Sequence, residues 1–153
     1  MAAWAAATAP TQAMRDDPWL YPVVEIVHIV GFSVLVGAVA MFDLRLLGLG
    51  RALPVRDLAR HLLPWSWLAL LLIVPSGLLM LSTQPELLDN RVFVLKLALI
   101  AAAGVNALAF HAGSWRRAEH WGAAPPVLAR LHAGVSLLLW IGVIACGRLL
   151  AYV

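Results

Sequence analysis

The segment VVEIVHIVGFSVLVGAVAMF, residues 23–42, decides the fold of this chain. It is twenty residues long and carries one carboxylate, Glu25, in an otherwise apolar run. A helix needs about 20 apolar residues to cross the hydrocarbon layer of a bilayer, because each residue adds only about 1.5 Å of rise. The segment therefore predicts a membrane-spanning helix.

Three further segments have the same character, and together they predict four spans at about residues 19–47, 61–81, 92–112 and 127–150. Of the 153 residues, 63% are hydrophobic and 12% are charged. Soluble domains are about half apolar and a quarter charged. This chain has too little polar surface to cover its apolar core, so lipid must be its solvent. Residues 1–18 are predicted to be a short extramembrane tail, and residues 19–153 one four-helix domain.

The basic residues set the predicted orientation, because Lys and Arg concentrate in the cytoplasmic loops of membrane proteins. In this sequence they concentrate around the first and third loops: Arg45, Arg51, Arg56, Arg60, Arg116, Arg117 and Arg130. Both loops are predicted to be cytoplasmic, with both termini outside. Short loops make an antiparallel four-helix bundle the simplest packing. The net charge of +3 resides in these loops, so nucleic acid is not expected as a partner.

Ionisable side chains are costly inside a membrane and usually mark a function. One layer, near the predicted outer face, contains His28 and Lys96, and a second layer near the cytoplasmic face contains His61, His111 and His132. Fifteen residues separate Lys96 from His111 on one helix, which is about 22 Å, so the two layers cannot share one small site.

Three kinds of site would use these residues. Haem b takes histidines from two helices as axial ligands. A small zinc or copper site is a second reading, because imidazole suits both metals. A proton path through Glu25 and His28 is a third. Near the cytoplasmic face, Asp43 and Arg45 are expected to form an interfacial ion pair.

Parts of two spans resemble a known family. The first contains Glu25–Gly31, followed by Phe42–Arg45, and the third contains Val94–Ile100, followed by Phe110–His111. These stretches resemble the bacterial haem-containing protoporphyrinogen oxidases. The resemblance implies haem b held by a histidine and a lysine, which at the matching positions here are His28 and Lys96. It also implies a bacterial inner membrane.

Two weaker resemblances concern the second half of the chain. The third span is similar to the membrane part of copper-resistance D proteins. The segment Ser136–Arg148 resembles small four-span bacterial proteins of unassigned function. The first of these resemblances implies copper handling or transport as an alternative function. Copper(I) prefers sulfur ligands, and the few sulfur atoms here are scattered along the chain.

The sequence thus predicts a membrane b-type haem protein for electron transfer, with one or two haems, and leaves open whether it catalyses a reaction. The inner haem would use two of His61, His111 and His132. The pair His111 and His132 is preferred, because adjacent antiparallel helices can place them at one level. The outer haem would use His28, with Lys96 as second ligand or as a partner of a haem propionate. Besides lipid, a redox partner or a second copy of the chain is expected, and a structural accessory subunit is the remaining alternative.

Overall fold

The computed structural model describes residues 9–121 and 124–152, which form five α-helices and two short 3-10 helices. The long helices are α2 (Leu20–Leu47), α3 (Val55–Thr83), α4 (Arg91–Ala112) and α5 (Val127–Leu149), preceded by the short α1 (Ala9–Asp16). The 3-10 helices are Pro85–Asp89, between α3 and α4, and Ser114–His120, after α4. The predicted all-α fold with four spanning helices is confirmed.

The four long helices are apolar on every side. The most apolar 18-residue window of each has a mean hydropathy between 1.9 and 2.2, and at most 22% of its residues are buried inside the bundle. Large side chains such as Leu71 and Leu108 therefore lie on the outside of the bundle, where they are 71% and 72% exposed. A surface of this kind is consistent with contact with a lipid bilayer, the solvent that the sequence predicts for these helices.

The helices pack around the bundle in the order α3, α2, α5, α4. α2 packs along both α3 and α5, and α5 packs along α4. In the described part of the chain, α3 and α4 scarcely touch, although only residues 84–90 separate them. Sequential helices are thus packed neighbours within each pair, α2 with α3 and α4 with α5, but not between the pairs. We call the space between α3 and α4 the α3–α4 gap.

A glycine lets α2 and α3 approach each other. A Cβ atom at Gly31 would lie 3.0 Å from Cγ1 of Ile73 and 3.3 Å from the backbone oxygen of Ala69. Ala69 itself is 1% exposed. Lipid tails are as apolar as the helix side chains, so the hydrophobic effect does not drive helices together inside a bilayer. Small residues at such contacts increase van der Waals packing, which drives the association instead.

The end of α2 is fixed by its own loop. Gly48 has a φ of 110°, which only glycine adopts readily, and this lets Leu49 donate its backbone N–H to the oxygen of Leu44 at 3.0 Å. The buried Arg45 donates its Nε–H to the oxygen of Leu53 at 2.6 Å, and one of its terminal nitrogens lies 3.3 Å from the oxygen of Arg51. The loop is therefore folded back onto the helix end.

Arg45 does not form the expected ion pair with Asp43. Within the described residues, Arg45 bonds to loop carbonyls, and Asp43 bonds to Ser136 on α5. The expectation was wrong because residues two apart on a helix do not face each other.

Two helical segments lie outside the predicted spans. α3 begins at Val55 rather than near His61, because the extended Pro54 precedes a polar first turn that hydropathy alone does not detect. Part of the predicted tail is an ordered helix: in α1, the fully buried Thr11 shares a hydrogen bond of 2.8 Å with the hydroxyl of Ser82 at the end of α3. Residues 1–8 of that tail lie outside the described residues.

The α2–α3 contact generates a first prediction. Gly31→Val is expected to destabilise the bundle by about 1–3 kcal/mol, because its side chain overpacks the contact with α3. Gly37→Val is the matched control, since a Cβ atom at Gly37 meets nothing within 4 Å. Thermal unfolding of the two variants in the same detergent measures the difference. Equal stability of the two variants would contradict the close contact at Gly31.

Candidate functional site

A cavity of about 630 Å³ lies in one half of the bundle, bounded by all four long helices. It is framed by the C-terminal halves of α2 and α4 and the N-terminal halves of α3 and α5. Its wall is mostly apolar, with six polar residues of particular interest: Asp43, Ser66, Asn106, His111, His132 and Ser136. Ligand sites typically have this size and this composition, an apolar wall with a few placed polar groups. We call it the bundle cavity.

His132 and Asn106 form a reciprocal pair that joins α5 to α4. Asn106 donates an amide N–H to the backbone oxygen of His132 at 3.0 Å. Since that oxygen can only accept, the amide oxygen of Asn106 faces the ring and accepts Nδ1–H of His132 at 2.8 Å. The proton of the neutral imidazole is thereby fixed on Nδ1, which leaves the lone pair of Nε2 available to a ligand.

His111 has the same tautomer for a different reason. Its Nδ1 lies 2.8 Å from the backbone oxygen of Ala107, one turn earlier on α4. A carbonyl oxygen only accepts, so Nδ1 carries the proton and Nε2 is free. Metal-binding histidines show this arrangement, in which the second ring nitrogen donates to a carbonyl or a side-chain oxygen.

Phe110 brings the two histidines together. Its buried ring lies 5.4 Å from the ring of His111 and 6.0 Å from that of His132, between ring centres. The same ring also packs edge-on against Phe42 of α2 and near Trp115. This aromatic cluster forms one end of the bundle cavity. The structure therefore places the preferred pair of the inner layer, His111 and His132, around one ring on the wall of one cavity.

Asp43 is a polar member of the wall that the sequence did not assign to a site. It is 5% exposed and bonds to the hydroxyl of Ser136 on α5. Its second oxygen, Oδ2, is buried and has no hydrogen-bond partner in the described part of the chain. Such groups are rare in folded proteins and call for an explanation, often a bound molecule.

The bundle cavity has one open side, the α3–α4 gap. Both helices contribute to the wall, but they scarcely touch each other. The apolar wall residues Leu63, Trp67 and Leu108 are 39%, 66% and 72% exposed. Because these side chains lie on spanning helices, their exposed surface faces lipid. This side of the cavity therefore lies at the apolar outer surface of the bundle.

The other predicted ligands lie elsewhere. His61 is exposed on α3 and is not part of the cavity wall. His28 and Lys96 lie in the opposite half of the bundle, also outside the wall. Among the described residues there is no cluster of three or more His, Cys, Asp or Glu side chains that could hold a metal ion.

His28 lies in a tight contact between α2 and α3. A Cβ atom at Gly77 would lie 3.0 Å from Cε1 of its ring. The hydroxyl of Ser76 donates to the oxygen of Leu72 at 2.5 Å and therefore accepts Nδ1–H of His28 at 3.0 Å. Lys96 is within electrostatic range of His28, and its ammonium group lies near Gly147 of α5. The two residues of the predicted outer layer thus lie in the same half of the bundle, each packed against a different helix: His28 against α3 and Lys96 against α5.

Asn106 is a second functional residue that the sequence analysis did not identify, although an amide inside an apolar span is itself a sign of a polar contact.

The pair of Asn106 and His132 generates a second prediction. Asn106→Leu is expected to destabilise the protein by about 1–3 kcal/mol, because it leaves the partly buried ring N–H of His132 without an acceptor. Ser33→Ala is the control, since it removes only an exposed hydrogen bond of 2.9 Å within α2. Equal thermal stability of the two variants would contradict the role of the pair.

Comparisons with known proteins give a family and no relative of known activity. No curated protein and no solved structure matches the chain. The family of unknown function DUF6644 matches residues 20–153, which include all four long helices and the whole bundle cavity. The chain belongs to this family, DUF6644.

Proposed function

We propose that this chain is a membrane-embedded b-type haem protein that transfers electrons, with a haem in the bundle cavity. The observation that carries the proposal is the pair His111 and His132. Each histidine comes from a different helix, lies on the wall of one cavity, and has its Nδ1 proton fixed by a hydrogen bond. The free Nε2 atoms are the nitrogens that haem iron would bind.

The cavity suits a haem in size and in polarity. Its volume of about 630 Å³ lies in the range of sites for large organic ligands. The wall offers aromatic and aliphatic side chains to a porphyrin, including Phe42, Leu70 and Trp67. These side chains would exclude water from the iron. When bound, the haem supplies one-electron chemistry at a potential that depends on its axial ligands and on burial.

The protein's own residues would tune the site through the histidines. Asn106 and the oxygen of Ala107 hold the Nδ1 protons and orient the two rings. Hydrogen bonds of this kind raise the basicity of the ligating nitrogen. The basic loops support a cytoplasmic location for this half of the bundle, in a bacterial inner membrane. The redox partner would be reached from that side or through lipid.

A second haem at His28 and Lys96 is a smaller part of the proposal. The location of both side chains in the same half of the bundle, within electrostatic range of each other, supports it. However, the ring of His28 is packed against Gly77 and lies outside the bundle cavity. The geometry therefore favours one haem, in the inner layer, over two.

A second candidate function is the binding of a lipid-soluble ligand such as a quinol. The opening of the bundle cavity to lipid favours it, as does the unpartnered oxygen of Asp43, which a hydroxyl-bearing head group could satisfy. Both candidate functions use the same cavity. The visible spectrum of the loaded protein distinguishes them, since only bound haem gives a Soret band.

The haem proposal makes a third prediction. Protein purified in mild detergent and supplied with haem is expected to bind about one b-type haem per chain. His111→Ala and His132→Ala are each expected to lose most of it, because each removes one iron ligand. Visible spectra of the oxidised and dithionite-reduced protein, with a pyridine haemochrome assay, measure the content. Size-exclusion chromatography shows whether each variant is folded.

His61→Ala is the matched control, because this histidine lies outside the cavity wall, whereas His111 and His132 lie on it. It is expected to bind haem like the wild type. A wild-type protein that stays colourless after haem supplementation would rule out the proposal. Equal haem loss in the His61 and His132 variants would contradict the assigned ligands.

A further inference from the structure

A second cavity lies at the same end of the bundle as the bundle cavity and has none of its described wall residues. Its volume is about 720 Å³, and it lies between the end of α4, the 3-10 helix Ser114–His120 and the start of α5. Five of its wall residues matter here: Ser114, Arg116, Trp121, Pro126 and Leu128. We call it the interface cavity, because it lies where the apolar helices end and the basic loop begins.

Ser114 is the first indication of a ligand. It is 7% exposed, and its hydroxyl oxygen has no hydrogen-bond partner in the described part of the chain. A buried hydroxyl without a partner costs free energy, and in a native structure it indicates a bound water or ligand. Ser114 lies on the wall of the interface cavity, so a ligand there could supply the missing partner.

The start of α5 supplies further donors. Its N-cap is Pro126, which has no side-chain group to bond, and the first backbone bond joins the N–H of Arg130 to the oxygen of Pro126 at 3.2 Å. The N–H groups of residues 127–129 therefore have no acceptor within the 23-residue helix. Such N–H groups bind phosphate and other anions in many proteins.

The charge balance favours an anion. The positive end of α5 and the negative end of α4 both border this cavity, and their partial charges of about half a unit each roughly cancel. The formal charge then decides the sign. Arg116 contributes one positive charge, and none of the described wall residues is acidic. A guanidinium group also matches the oxygens of a phosphate by paired hydrogen bonds.

We propose that the interface cavity binds a phosphate group at the membrane surface, of the kind that an anionic phospholipid presents. Arg116 would neutralise the charge, and the hydroxyl of Ser114 and the N–H groups of α5 would bond to the oxygens. Trp121 and the half-exposed Leu128 provide an apolar border suited to the glycerol and upper acyl region of a lipid. The site is independent of the haem proposal.

The test measures binding to the full chain in a neutral detergent by native mass spectrometry. The probes are dioleoylphosphatidylglycerol, dioleoylphosphatidylcholine and inorganic phosphate. We expect phosphatidylglycerol to bind most tightly, and Arg116→Gln to weaken it roughly tenfold, the usual effect of losing a charge-assisted bond. Arg60→Gln is the control, because it removes the same charge from an exposed helix position that does not border this cavity.

Ser114→Ala provides a second variant that changes the site with little effect on packing. It is expected to weaken phosphatidylglycerol binding by roughly threefold to tenfold. Binding of inorganic phosphate that also depends on Arg116 would support the site and identify the free anion as its ligand. Equal binding in the wild type, the Arg116 variant and the Ser114 variant would overturn the proposal, as would equal effects of the Arg116 and Arg60 variants.

Discussion

Hydrocarbon offers no hydrogen bonds, so each polar group in the bundle must find its partner within the chain or in a bound molecule. The reciprocal pair of His132 and Asn106 is the clearest result of this constraint, because it uses four polar groups of two helices at once. The same constraint holds His28 against Ser76 and draws Arg45 onto the carbonyl oxygens of its loop. Polar contacts therefore fix which helix faces meet, while apolar contacts hold them together.

Three buried side-chain atoms have no hydrogen-bond partner among the described residues: Asp43 Oδ2, Arg45 Nη1 and the hydroxyl oxygen of Ser114. Arg45 lies on neither described cavity wall, so the other two are the informative ones. Asp43 Oδ2 and the hydroxyl of Ser114 are both buried, and each belongs to the wall of a different cavity. A small protein with few polar residues would gain stability by replacing such groups with apolar ones of similar size. Their presence is more easily explained by ligands than by stability. The two cavities therefore fit different ligands, one a large apolar group and the other an anion.

Much of the fold follows from the sequence, because hydropathy and helix length determine the four spans almost without regard to tertiary contacts. That His111 and His132 lie at one level was also predictable, since depth along a helix follows directly from residue number. Rotation about the helix axis does not follow so simply. His61 has a similar depth but lies outside the wall of the bundle cavity, and Asp43 faces Ser136 rather than Arg45. In a helix that is apolar on every side, no polar face indicates which side turns inward.

The packing order explains why the sequence could not indicate the α3–α4 gap. The link at residues 84–90 is short enough for α3 and α4 to pack against each other. Instead, α2 packs against α5, and this contact on the opposite side joins the two helix pairs.

The protein therefore consists of two helical hairpins, α2–α3 and α4–α5, held together chiefly along α2 and α5. Each hairpin can insert into the membrane as a unit during synthesis, and their association needs no threading. Because the α3–α4 gap stays open when the two hairpins have packed together, a large cofactor or lipid-borne molecule can enter the bundle after assembly. Neither hairpin has to leave the membrane, and no helix has to unfold.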